Sequence, residues 1–217
     1  MNKKLLALAA VVLIVVVINL VGRAQPEVQR VPFAALLTPA SCAQPQWPAE
    51  AVRYEITGTT IISFQIGQDG KVRKPTVSKS SGWQILDAAA IAGITQCVFR
   101  SGLKEARDGA VFPLQYEWKF SDAPALRPLL VKDSCQPSAQ FAGFREADQR
   151  PSGPDGILLR FLLNPDGAPL RVVAEPNGQP QALVGQAIAY LQTCRFAYDA
   201  QLSGERTDTA FGRVLLK

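Results

Sequence analysis

The chain has 217 residues, 47% of them hydrophobic and 19% charged, and it contains no histidine. That mix belongs to a folded chain, and the missing histidine excludes Ser-His-Asp and Cys-His nucleophile arrangements and every His-ligated metal site. The formal net charge of +5 is scattered rather than gathered into the dense basic face of a nucleic-acid binder, so an enzyme, a cofactor or metal site, or a nucleic-acid partner is not expected.

Lys3 and Lys4 precede an uncharged run from Leu5 to Gly22 in which only Asn19 is clearly polar. As a helix the run spans about 27 Å, enough to cross a hydrocarbon core. Residues 1–22 are therefore expected to be an uncleaved transmembrane anchor with a cytoplasmic N-terminus and an exported remainder. The alternative is a cleaved signal peptide, with a poor but possible cut site at Gly22-Arg23-Ala24. Residues 23–40, with Pro26, Pro32 and Pro39, read as a tether, within which Phe33 to Leu37 are apolar enough to pack on a domain. Cys42, Cys97, Cys135 and Cys194 suit an oxidising compartment and lack C-x-x-C spacing.

Four cysteines allow three pairings, and an internal repeat chooses between them. At an offset of 97 residues, Phe64 falls on Phe161, Asp69-Gly70 on Asp166-Gly167, Gln84 on Gln181, and Leu86 on Leu183. Ala90-Ile91-Ala92 then falls on Ala187-Ile188-Ala189, Cys97 on Cys194, and Phe99 on Phe196. Such self-similarity reads as two copies of one small domain. The pairs implied are Cys42–Cys97 and Cys135–Cys194, one staple inside each copy. The domains would be 41–120 and 131–217, with residues 121–130, carrying Pro124 and Pro128, as a linker.

Thr59 to Ile66 alternates as a half-buried strand, Gln68-Asp69-Gly70 is a hairpin turn, and Val72 to Val77 returns as a strand whose Pro75 calls for an edge or a bulge. Ser80-Ser81-Gly82 leads into an Ala-rich helix over Ile85 to Gln96, where Asp87 would offset the helix dipole. Ala110 to Phe120 is an aromatic-rich last strand. The second copy is expected to repeat these elements at Ile157–Leu163, Ala168–Ala174, Gln181–Thr193 and Thr209–Leu216. The expected class is α+β: two tandem domains, each a three-stranded antiparallel sheet with helical cover, after an N-terminal transmembrane helix.

Trp47-Pro48 with Ala51, Gly58 to Phe64 and Ile66, Asp69-Gly70, Ser80-Ser81-Gly82, Leu86-Asp87 with Ala89-Ala90, and Phe99 follow one another in the order found in TonB C-terminal domains, which the first copy resembles over about 80 residues. The second copy keeps Asp166-Gly167, Leu183, Ala187 and Phe196 and looks like a diverged form. The resemblance implies a protein of the inner membrane with its bulk in the periplasm, an ExbB–ExbD-type motor and a TonB-dependent outer-membrane receptor as partners, and receptor peptide bound by strand addition. The partner-binding residues it implies are Val111, Phe112, Leu114, Tyr116, Trp118 and Phe120 on the last strand, with Trp47 and Pro48 beside it. The family's transducers carry a Ser/His pair in the anchor and a long Pro-rich spacer, whereas this anchor has neither residue and its tether is short. A non-transducing periplasmic interaction module, binding another envelope protein or peptidoglycan, is therefore the alternative.

Overall fold

The computed structural model describes residues 30–106, 109–120 and 125–217. The expected anchor lies outside them, and among the described residues no helix is long and apolar enough to cross a membrane. Strand β1 (Gly58–Ile66) buries Thr60, Ile62, Phe64 and Ile66 on one face, the period its sequence carries. The Asp69-Gly70 turn leads into β2 (Val72–Lys79), an edge strand. Pro75 is accommodated there by a register slip opposite Ser63 and Gln65, with Lys74 at a φ of 46°. Helix α1 (Ala49–Arg53) precedes β1; helix α2 (Gln84–Thr95) follows β2 and packs Leu86, Ala90 and Ile94 on the buried face. Strand β3 (Phe112–Trp118) pairs antiparallel with β1, giving the order β2-β1-β3.

The second unit opens with β4 (Leu129–Leu130), which pairs with β8 (Phe196–Ala197). Its main sheet has the order β5-β9-β6-β7, from β5 (Phe141–Glu146), β6 (Gly156–Leu163), β7 (Pro169–Glu175) and β9 (Thr209–Leu216), with helix α3 (Gln181–Gln192) packed on it. The protein is thus α+β with antiparallel sheets.

Local geometry recurs between the units. Ile62↔Val77, Gln65↔Arg73 and Ile66↔Val72 have their counterparts, 97 residues on, in Leu159↔Ala174, Leu162↔Leu170 and Leu163↔Pro169. Gly70 (φ 79°) and Gly167 (φ 73°) each accept a hydrogen bond, at 2.9 Å, from the N–H of Phe99 and Phe196 respectively. A Cβ at either glycine would collide with the carbonyl oxygen of that same phenylalanine. Cys42 pairs with Cys97 and Cys135 with Cys194, at Cα separations of 4.1 and 4.0 Å, the two staples read from the repeat.

Two expectations change. The second sheet has four strands rather than three, because β5 adds to the outer side of β9; Phe-Ala-Gly-Phe-Arg-Glu does not alternate, so its sequence carries no strand period. The described part of the expected linker is bonded into the second unit, through a Leu126↔Arg206 bridge and β4. Of the tether, the segment from Ala35 to Leu37 lies along Val98–Arg100, with Leu37 N–H donating to Val98 O (2.9 Å) and Arg100 N–H to Ala35 O (2.8 Å).

The units are docked on one another. Every residue of β6 is buried. Ile157, Leu159, Phe161 and Leu163 face the second unit's own core, while Leu158 and Leu162 belong to the first unit's cluster with Tyr54, Trp83 and Leu86. Between those two leucines, Arg160 reaches Glu50 of α1 (2.8 Å) and Glu175 of β7, with its guanidinium 5.3 Å over the Tyr54 ring. Trp83 is fully buried, edge-on to Phe211 at 5.5 Å, and its Nε1–H donates to Gln149 (3.2 Å).

Candidate strand-accepting edge

Strand β3 is bonded on one side only, and its outer edge carries no backbone pairing among the described residues. The orientation of that edge follows from one residue. Pro113 lies opposite Ser63 and has no N–H, so this pair is the non-hydrogen-bonded kind. Antiparallel alternation then turns the N–H and C=O of Gln115 and Glu117 outward, with the Pro113 carbonyl beside them. The second unit uses the same pattern: Phe211 and Lys217, which stand where Pro113 and Lys119 stand in the first, bond outward to Ala147 N–H and Gln140 O.

The side chains named from the sequence divide by face. Phe112 and Trp118 are buried in the core, and Leu114 and Tyr116 are half-buried on the same side. Burial pushes the Tyr116 hydroxyl above its ordinary pKa. Val111 and Phe120, just outside the strand, are exposed. Trp47 leans edge-on to Trp118 (centroids 5.8 Å apart) and against Phe120 (4.5 Å), while Pro48 is the N-cap of α1. Phe112 and Trp118 therefore hold the strand in place, and the groups left to meet a partner are the outward backbone of 113–117 and the rim of Trp47, Tyr116 and Phe120.

Asp87 fixes the far end of the strand. Its buried side chain accepts hydrogen bonds from Thr60 Oγ1 (2.8 Å), Ser80 Oγ, and Ser81 N–H and Oγ (both 2.9 Å). Thr60 Oγ1 in turn accepts from Trp118 Nε1 (3.1 Å). The acidic residue expected to offset a dipole thus joins the Ser-Ser-Gly loop, β1 and β3. Beyond Trp118 the edge opens onto a cleft of about 700 Å³ between the units, bordered by Glu55, Phe120, Arg127 and Phe211.

The corresponding edge of β9 is filled. β5 pairs along it from Phe141↔Leu216 to Glu146↔Gly212. Strand length does not distinguish the two edges, since β9 has 8 residues and β3 has 7. β5 was missed in the sequence, although a signal was present: Ala210 and Gly212 stand where the first unit has Phe112 and Leu114. Among the described residues no cluster of potential metal ligands occurs.

Residues 43–121 match the family model described as Gram-negative bacterial TonB protein C-terminal, which covers α1, α2 and β1–β3. The first unit is a TonB C-terminal domain. A comparison with curated proteins returns no match.

Proposed function

We propose that this is a non-enzymatic TonB-family protein of the bacterial envelope, held at the inner membrane by residues 1–22, whose first unit binds an extended partner peptide as an added strand on β3. The observation that carries the reading is the contrast between the open outer edge of β3 and the closed one of β9. An open edge supplies affinity through backbone hydrogen bonds, and the side-chain rim supplies selectivity. On this reading the second unit is a diverged copy that has filled its own edge. The shared registers, turn glycines and disulfide positions support that descent.

Coupling to an ExbB–ExbD-type motor and delivery of force to an outer-membrane receptor form the fuller version of this reading. A specific observation favours a second version, a module acting close to the inner membrane. Val31 and Leu36 of the tether pack on the first unit's core and the segment from Ala35 to Leu37 is hydrogen-bonded to it, and residues 23–34 even fully extended would reach only about 43 Å. A photo-reactive residue at Gln115 in the full chain, expressed in the native envelope, separates the versions. Cross-links to an outer-membrane receptor that require the proton gradient support transduction. Gradient-independent cross-links to an inner-membrane or periplasmic protein support the module. Absence of cross-links at Gln115, with cross-links at a matched position on β2, would remove β3 as the docking edge.

A further inference from the structure

The two units meet their central phenylalanine with an aromatic ring supplied from different strands. In the first unit Phe64 faces Phe112 of β3, with centroids 5.9 Å apart. In the second, the residue opposite Phe161 on the last strand is Ala210, and the ring comes instead from Phe144 of β5, 5.8 Å from Phe161 and 5.7 Å from Phe196. The next inward position repeats the exchange. Leu114 lies opposite Ile62, whereas Gly212 lies opposite Leu159. A Cβ on Gly212 would strike the Arg145 carbonyl oxygen and come within 2.6 Å of the Phe144 ring.

From this exchange we propose that residues 112 and 114 set the size of side chain the β3 edge accepts. The inference rests on the strand-acceptor reading and adds a rule to it. A strand on β9 drives an aromatic ring under the sheet, because alanine and glycine leave the space. On β3 that space is taken by Phe112, which is fully buried, and by Leu114. The position of an incoming peptide that stands opposite Tyr116, as Phe144 stands opposite Val214, must then carry a small side chain: glycine, alanine or serine. Close packing makes the rule sharp, since a ring cannot enter an occupied core without displacing another. Partners would be extended segments with a small residue at that register point. The chain's own β5 sequence would be rejected by β3, which prevents the two edges from exchanging strands between molecules.

The test uses the full chain and two peptides, residues 139–147 and their Phe144→Ser analogue. Wild-type protein should bind the serine analogue at least tenfold more tightly than the natural sequence. The Phe112→Ala, Leu114→Gly protein should reverse that order. Equal affinities for wild-type protein would overturn the size rule and leave strand addition standing; binding of neither peptide to either protein would overturn strand addition as well. A second measurement does not depend on that variant folding. Ala210→Phe should lower the melting temperature by crowding Phe144, and adding Phe144→Ala should restore part of the loss by moving the ring to the last strand, as in the first unit. A double variant less stable than both singles would show that the two rings do not share one space.

Discussion

Asp87 shows how a single residue can carry more structure than its type suggests. Four donors from two elements converge on one buried acidic side chain, and Trp118 hangs from the same network through Thr60. Asp87→Ala strands those donors and is expected to cost about 3 kcal/mol in chemical denaturation. Asp87→Asn keeps the one oxygen that accepts from Thr60 and Ser81 and gives up only the acceptor facing Ser80, so it should cost about 1 kcal/mol or less. The sequence placed Asp87 near the helix start correctly, but the network was not legible, because Thr60 and Trp118 reach it only after the sheet has formed. Asp208 gives a pH-dependent case. The Arg53 guanidinium, bonded to it across the unit boundary at 2.7 and 2.9 Å, holds its carboxyl below the ordinary carboxylate range. Its folded pKa is thus lower than its unfolded one. The contribution is complete above the unfolded value near 3.8 and fades as pH falls through the folded value. Both groups are half exposed, so the effect is modest and salt-sensitive. Acid titration of the Arg53→Gln protein should show a shallower loss of stability below pH 4 than wild type.

At the scale of elements, β1, β2, α2 and β3 were legible because each carries its own period, turn residues or aromatic alternation. β5 was not, since a strand with a bulge between Phe141 and Gly143 has no two-residue repeat. The edge itself was legible as a location but not in its polarity, which depends on Pro113 facing Ser63. From that polarity, Gln115→Pro removes an N–H that points away from β1. The variant should keep its fold, with a melting temperature within a few degrees of wild type, while partner-peptide affinity falls at least tenfold. Thr60 lies opposite Tyr116, in a hydrogen-bonded pair by the same alternation. Tyr116→Pro, one residue on, should therefore destabilise the sheet itself. Circular dichroism melts and peptide titrations on the two variants check the assignment together.

At the scale of the molecule, the docking of the units could not be read from periodicity. β6 is apolar except for Arg160, which fits burial on both faces, yet the sequence alone does not say what covers the second face. The covering element is the first unit, and Arg160 is the polar pin between Glu50 and Glu175. Arg160→Met would leave Glu175 buried without its partner, a change expected to cost about 3–5 kcal/mol. Adding Glu175→Gln should recover part of it. Amide exchange should report the loss in both units, at α1 as well as β7, because the contact is shared. Exchange changes confined to the second unit would mean that the docking contributes little to the first.

The tether enters the first unit beside the Cys42–Cys97 crosslink, whose sequence separation is 55 residues. A pull on the N-terminus therefore first peels residues 35–41 from the Val98–Arg100 segment and then meets a covalent shunt. Tension passes from Cys42 directly to Cys97, bypassing α1, β1, β2 and α2, and bears on the remainder of the chain from the far side of the shunt. Residues 43–96 are mechanically silent while the bond is intact. Reduction would add about 190 Å of extensible chain, at roughly 3.5 Å per residue, and bring β1 and β2 into the load path. Single-molecule extension before and after reductant would read that added length as a step, and its absence would locate the load elsewhere.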